Sequence, residues 1–440
     1  MDLTSESLDK IRQQFDLAPY PRVPLETSPK GNDSLLFVHS LVTAHYLRHQ
    51  RVISPENRLI LDAGCGSGYK CLILAEANPG ARIIGIDISE QSIQLSRQRL
   101  KYHQFENVEF HTMAIEDLPA MGLQFDYINC DEVLYLLPNP PEALQMMKSV
   151  LKPDGVLRTN LHNAYQRGNY YRAQALFKLL GLMDENPGDL EMDIVMETMR
   201  SLKDTTKLKA ETWHPIYERD GKEGTLVDFL LLGDRGFTIP ELFELLDGAG
   251  LEFMRMLNWR NWDVADLFKE PENLPAFWGM NLAAASEREQ LRMYELLNPM
   301  SRLMDFWCAL PRQEAAPTLV EEWDETTWNS ARVSLHPLLQ VPKVKADLEQ
   351  AIAAHKPFEI SRYIELPALQ PVPLDSTLAS ALLPLWEGSQ SLLTLAKRYQ
   401  QVRPLHPATL EPLSIEAAIA TIRDLLNRLD AFLYVLLEAA

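Results

Sequence analysis

The stretch of this chain best equipped for chemistry is Leu59-Ile60-Leu61-Asp62-Ala63-Gly64-Cys65-Gly66-Ser67-Gly68. An apolar run leads into Asp-x-Gly-x-Gly-x-Gly, and helix-forming residues follow. Glycines let the backbone turn sharply and approach a ligand with no Cβ in the way. The N-terminus of the next helix offers unpaired N–H groups to an anionic group. Asp62, directly before the loop, suits a ligand carrying an ammonium group. Further on, Gly85-Ile86-Asp87-Ile88-Ser89 places an acidic residue where it can accept both hydroxyls of a ribose. A dinucleotide loop reads Gly-x-Gly-x-x-Gly, but the third glycine position here is Tyr69, which argues against a nicotinamide oxidoreductase.

These residues need a frame, and the flanking pattern supplies one. Leu59–Leu61, Arg82–Asp87, Val108–Phe110, Phe125–Ile128 and Gly155–Arg158 read as strands. Cys71–Ala77, Gln91–His103 and Pro140–Leu151 read as helices between them. The alternation predicts an α/β fold with a doubly wound, Rossmann-like parallel sheet. Residues 1–34 read as an irregular N-terminal arm around Pro19-Tyr20-Pro21-Arg22, and Ser34–Gln50 as one helix. Past Asn160 the rhythm breaks into the helical patterns Tyr165–Leu182 and Leu190–Leu208, so about 160–232 is expected to be a helical cap insertion. A helix over Thr238–Leu246 and a strand over Leu251–Leu257 then resume the alternation. The expected division is a ligand-binding unit over 35–260, a helical linker region over 261–335, and a mainly helical C-terminal domain over 336–440. Of 19 glycines 17 lie at or before Gly250, and all eight tryptophans lie at or after Trp213, which fits two architectures in one chain.

Four elements in order resemble the class I S-adenosylmethionine-dependent methyltransferases: Leu61–Gly68, Gly85–Ser89, Phe125-Asp126-Tyr127-Ile128, and Leu151-Lys152-Pro153-Asp154-Gly155-Val156-Leu157. The resemblance implies S-adenosyl-L-methionine as cofactor and a small molecule or a protein side chain as methyl acceptor. Carried over residue by residue, Asp62, Gly64, Cys65, Gly66 and Gly68 would hold the methionine part and Asp87 the ribose. Ile88 and Ile115 would cover the two faces of adenine. Family members often carry an acidic residue where this chain has Ala114, so Glu116 or Asp117 is expected to substitute. Cys130, closing the fourth strand, reads as a cofactor neighbour or as a small buried filler. The His-bearing segment of many small-molecule members is replaced by Val133-Leu134-Tyr135-Leu136-Leu137. A cofactor-binding regulatory protein that has lost transfer is the alternative this departure suggests.

Methyl transfer asks mainly for positioning, with a base only if the acceptor arrives protonated. Tyr135, His162 and Tyr165 are the candidates for acceptor chemistry, with Arg167 beside them. Asp131 and Glu132 follow the fourth strand, where open α/β sheets bind ligands, but charged residues there also make solvated turns. His45 and His49 are spaced i,i+4 without the Glu that a zincin motif requires, so no metal site is expected. Asn139-Pro140-Pro141-Glu142 is explained by a helix N-cap with proline at the first helical position.

Composition narrows the partners. Forty-two basic against 61 acidic residues give a net charge of −19, which argues against a nucleic-acid partner. The start Met1–Glu6 lacks a leader pattern, and no apolar run is long enough for a bilayer, so no membrane partner is expected. Four cysteines without a CxxC pair fit free thiols and a cytoplasmic setting. Ser376–Trp386 and Ser389–Gln400 read as a helix pair, loosely similar to winged-helix-like modules appended to some bacterial methyltransferases. Ser414–Glu438 reads as one long amphipathic helix, with Ile415, Ile419, Ile422, Leu426, Leu429 and Leu433 forming a stripe suited to packing or to a homodimer.

Overall fold

The computed structural model describes residues 3–17, 19–313, 315–365 and 370–439. Met1 and Asp2 of the expected leaderless start, Ala18 of the arm, Glu314, residues 366–369 and Ala440 lie outside the described residues. The arm is not irregular throughout, because it opens with helix α1 (Leu3–Leu17). Leu8, Ile11 and Phe15 recur at i, i+3 and i+7 and give that helix an inward apolar face. The single helix expected over Ser34–Gln50 is two, α2 (Asp33–His39) and α3 (Leu41–His49), broken at an extended Ser40. Asn78 stabilises the break: its amide donates to His39 O at 2.9 Å, and its Oδ1 accepts from Leu41 N at 2.7 Å.

The central sheet follows in the expected rhythm: β1 (Leu59–Ala63), α4 (Tyr69–Ala77), β2 (Arg82–Asp87), α5 (Glu90–Tyr102), β3 (Val108–Thr112), β4 (Phe125–Cys130), α6 (Pro140–Ser149) and β5 (Leu151–Asn163). These five strands are parallel. The insertion then contributes α7 (Gly168–Leu179), α8 (Asp189–Ser201), α9 (Lys207–Thr212) and α10 (Ile216–Phe229). They gather around their own apolar cluster, including Phe177, Met199 and Phe229. After β6 (Gly236–Phe237), α11 (Ile239–Ala249) starts on a capping box in which Thr238 and Glu241 satisfy each other's backbone N–H. Next come β7 (Glu252–Met256), α12 (Ala276–Ala284) and α13 (Glu287–Leu297).

The region expected to be a helical linker holds a further strand of the same sheet, β8 (Leu303–Ala309). The order is β3-β2-β1-β4-β5-β8-β7, with β8 antiparallel to both neighbours and β6 paired to β5. Most of β8 is buried, so Phe306-Trp307-Cys308-Ala309 is a continuous apolar run, which periodicity cannot tell from a buried helix.

The chain ends in α14 (Glu325–Ser330), β9 (Arg332–Leu335), α15 (Pro342–Ala353), β10 (Phe358–Glu359), β11 (Pro373–Leu374), α16 (Ser376–Leu382), β12 (Gln390–Ser391), α17 (Leu392–Val402), α18 (Ile415–Asp430) and β13 (Val435–Glu438). The long final helix is therefore shorter than expected. The chain turns at Leu433 (φ 55°), and β13 pairs antiparallel with β9. A small sheet ordered β12-β9-β13 joins the helices. The stripe that suggested a homodimer is used within the chain, with Ile422, Leu426 and Leu429 fully buried.

Alternate residues of the central strands feed two cores, as the two-residue period of a strand requires. Leu61, Ile84, Ile128 and Leu157 pack on one face of the sheet together with residues of α6 and α11. Ile60, Ile83, Tyr127, Val156 and Trp307 belong to a cluster that continues through α3 into Val333, Leu426 and Leu436. Tyr46 of α3 fixes this junction: its hydroxyl donates to Asp430 at 2.5 Å and accepts from Leu437 N at 2.8 Å.

Candidate active site

A cavity of about 280 Å³ opens at the carboxyl ends of β1, β2 and β4, where the strand order reverses. Its floor is the glycine loop. Gly64 and Cys65 each donate their N–H to Ile86 O at 2.8 Å, tying the loop to β2. Gly66 N donates to Asp87 Oδ2 at 2.9 Å, and Ser89 N to Asp87 Oδ1 at 2.8 Å. Burial raises the Asp87 carboxyl to about 6, against the pull of these N–H groups. Two positions demand glycine for space. A Cβ on Gly66 (φ 51°) would run into the Tyr20 carbonyl oxygen, and one on Gly68 (φ 78°) would lie 2.7 Å from Ser96 Cα.

The N-terminal arm forms the roof. Ser67 N donates to Tyr20 O at 2.8 Å, and Ser67 Oγ to Pro21 O at 2.7 Å. Arg99, almost fully buried, donates to Ser67 O at 2.9 Å, Pro24 O at 2.8 Å and Val23 O at 2.7 Å. The arm thereby delivers Leu8, Ile11, Phe15, Tyr20, Pro21 and Val23 to the cavity wall. The helical insertion was expected to cap this space, but none of α7–α10 lines it. The insertion meets the arm instead, where Arg22 N donates to Glu223 Oε1 at 3.0 Å.

One end of the cavity is polar. Lys70, Asp131, Glu132 and Tyr20 converge there. Asp131 forms ion pairs with Lys70 and, at 3.5 Å, with Arg158, while Asn160 donates to its Oδ1 at 2.5 Å. Burial alone would raise this carboxyl, but Arg158 and Lys70 more than offset it and hold it well below the usual range. Arg158 also binds Asp305 through two nitrogens, at 3.1 and 2.6 Å. His39 donates from Nδ1 to Leu35 O at 2.8 Å and accepts from Arg158 at Nε2, so it is neutral. Glu132 sits at φ 59°, with its N–H held by Asn160 Oδ1 at 2.8 Å. Its Oε1 accepts from Arg302 at 2.8 Å, and its Oε2 faces the Tyr20 hydroxyl at 3.5 Å.

The residues singled out from sequence divide sharply. Gly64, Cys65, Gly66, Asp87, Ile88, Ile115 and Glu116 all line the cavity. Gly68 does not, since it caps α4 behind the loop. Asp62 lies beneath the loop at 1% exposure, with Oδ1 accepting from Asn129 at 2.7 Å and Oδ2 from the Cys71 thiol at 3.1 Å. It is too enclosed to meet an ammonium group. Cys130 is fully buried and away from the cavity, as the filler reading requires.

The three acceptor candidates all lie outside the cavity lining. Tyr135 is buried with its ring stacked on His162 at 3.8 Å. His162 donates from Nδ1 to Asp234 at 2.6 Å, and its Nε2 accepts from Arg302 at 3.0 Å, so its lone pair is not free to take a proton. Burial lowers its pKa, with Asp234 opposing. Tyr165 is 47% exposed, and its hydroxyl accepts from Arg292 at 3.0 Å. In their place stand the buried Asp131 and the half-buried Glu132, which line the cavity together with Lys70 and Tyr20. Neither Lys70 nor Tyr20 belongs to a motif. The i, i+3, i+7 spacing of Leu8, Ile11 and Phe15 was the legible sign that the arm is a roof.

The cavity fits the implied cofactor. Its volume of about 280 Å³ lies just below the roughly 300 Å³ at which ligand pockets usually begin. The Asp87 carboxylate and the isoleucines Ile88 and Ile115 line one part of it. At the other end the Lys70–Asp131 ion pair offers one charge of each sign.

A parallel-dominated α/β sheet with a glycine-floored cavity and a carboxylate ending its second strand defines the class of this protein. Residues 55–221 match a family described as a methyltransferase domain. The chain is an S-adenosylmethionine-dependent methyltransferase. Among similar proteins, one of unassigned function from Synechococcus is 24% identical over 299 residues, 67% of this chain and 69% of that protein. The ubiquinone biosynthesis O-methyltransferase of Coxiella burnetii is 28% identical over 184 residues, 41% of this chain and 75% of that enzyme. In fold, the chain is similar to PKMT2 from Rickettsia typhi at a TM-score of 0.56 and 16% identity, over 91% of this chain and 75% of that one. Among the described residues no helix is long and apolar enough to cross a membrane.

Proposed function

We propose that this enzyme methylates a protein side-chain amine, with lysine as the acceptor. The observation that carries the reading is the polar end of the cavity. There Glu132 lines the cavity, with Arg302 holding its Oε1 and the Tyr20 hydroxyl 3.5 Å from its Oε2. An acceptor that arrives as an ammonium ion needs both an anion to attract it and a base to take its proton. The net charge of −19 favours a basic protein partner on encounter. The fold likeness to PKMT2 spans the C-terminal region as well, whereas the Coxiella O-methyltransferase matches only 41% of the chain. We take residues 35–309 as the methyltransferase unit, and the buried free thiols support a cytoplasmic setting.

In this reading the bound cofactor supplies an electrophilic methyl group on a sulfonium. Asp87 would accept the ribose hydroxyls, and Ile88 and Ile115, which line the cavity with Glu116, would cover the adenine faces. The arm excludes water. Glu132 would take the ammonium proton, which would free the nitrogen lone pair to accept the methyl group that the sulfonium would give up. Tyr20 and Arg302 orient that carboxylate. The test is methyl-label transfer into fractionated extract, followed by amino-acid analysis of the labelled protein. Methylated lysine supports the reading, and label confined to small molecules overturns it.

A further inference from the structure

We infer that Lys70 and Asp131 form an exchangeable ion pair that reads the zwitterionic amino-acid end of the cofactor. Lys70 would take the carboxylate and Asp131 the ammonium group. The inference rests on the methyltransferase reading and assigns its cofactor site two residues that no motif indicates. Three observations lead to it. Asp62 cannot serve the ammonium group, because it is sealed beneath the loop by Asn129 and Cys71. Asp131, by contrast, lines the cavity, and the close partner of its buried Oδ2 is Lys70, which lines the same cavity. Lys70 follows the glycine loop on the first turn of α4, and its side chain is 27% exposed, so its ammonium can swing without crossing the core.

Charge pairing makes the exchange favourable. The buried group holds two cations, Lys70 and Arg158, and two anions, Asp131 and Asp305, with His39 neutral. A zwitterion adds one charge of each sign. Each new charge finds a partner of the opposite sign, and no ion is left unpaired in a dry site. Arg158 and Asn160 stay on Asp131 throughout, so that carboxylate remains in place when Lys70 leaves it.

The experiment is calorimetric binding of three ligands to the full-length protein. S-adenosylhomocysteine has both charged groups, its decarboxylated analogue keeps only the amine, and 5′-methylthioadenosine has neither. Wild type is expected to prefer S-adenosylhomocysteine to the decarboxylated analogue by about 10- to 100-fold, the range of one charge-assisted hydrogen bond. In Lys70→Met that preference should fall to within about threefold, with affinity for 5′-methylthioadenosine unchanged, and Lys70→Arg should restore much of it. Full discrimination in Lys70→Met overturns the inference. So does an equal loss for all three ligands, which would make Lys70 merely structural. Failure of wild type to bind any of the three sinks the methyltransferase reading itself, whereas binding without discrimination sinks only the ion-pair exchange.

Discussion

Replacing Arg99 with Met tests whether the arm is a working roof. Met keeps an apolar stem but deletes the guanidinium that binds Val23 O at 2.7 Å, Pro24 O at 2.8 Å and Ser67 O at 2.9 Å. Two of these bonds cross from the domain to the arm. At roughly 1.5 kcal/mol each, the low end for hydrogen bonds to a charged group, their loss costs the closed arm about 3 kcal/mol. That is about a 100-fold drop in the ratio of closed to open molecules. If the cofactor binds tightly only beneath a closed arm, its apparent Kd rises as the closed fraction falls. The expected outcome is cofactor binding weakened by about tenfold or more in calorimetry, with faster proteolytic cleavage near Pro19–Leu25. The third bond anchors the glycine loop, so thermal unfolding must show that the rest of the fold survives. A folded variant with an equally protected arm and a Kd within twofold of wild type would show that Arg99 does not hold the arm closed over the cofactor.

Glu132→Gln should leave cofactor affinity nearly unchanged and lower kcat by roughly 10²- to 10⁴-fold, the usual contribution of a general base. The deficit should shrink as pH rises toward 10, where free lysine begins to lose its own proton. A variant with the same deficit at every pH would count against the base assignment. Asp87, lifted by burial to about 6, should weaken cofactor binding as pH falls below that value, because its protonated form accepts fewer ribose hydrogen bonds. In Asp87→Ala that pH dependence should vanish while affinity is low throughout. His336 is fully buried with its pKa lowered to about 3, Nδ1 accepting from Leu338 N at 3.3 Å and Nε2 3.0 Å from Thr43 Oγ1. Its unfolded value is near 6.5, so its contribution to stability is present above that pH and is lost as pH falls toward 3. Urea unfolding between pH 6 and 4 should show one proton fewer taken up on unfolding in His336→Gln than in wild type, and an unchanged slope would contradict this.

The neighbourhood of the glycine loop was legible because its elements are local. A strand, three glycines with positive φ, a helix and an acidic residue closing the next strand are set by residues close in sequence. Buried periodicity located β1 to β5 to within a few residues at their starts. The failures share a different cause. β8 is buried on most of its length between two strands, so it carries no period that separates strand from helix. β9, β12 and β13 are two to four residues long, and pairing across distant segments makes them strands. The acceptor candidates failed because side-chain availability depends on long-range partners. His162 looked like a base until Asp234 and Arg302 took both of its nitrogens.

What the sequence determined by itself is therefore the chemistry of the floor: the backbone turn at Gly64 to Gly68, the carboxylate at Asp87, and the isoleucines at 88 and 115. Tertiary structure decided everything that closes over that floor. Tyr20 reaches Glu132 across 112 positions, and Arg302 reaches the same carboxylate across 170. No spacing rule connects such residues. They meet because β8 threads between β5 and β7, and because Arg99 and Ser67 tie the arm over the loop. Local sequence fixes the backbone torsions that cradle a nucleoside, but which charges are paired, buried or free is set only when distant segments pack.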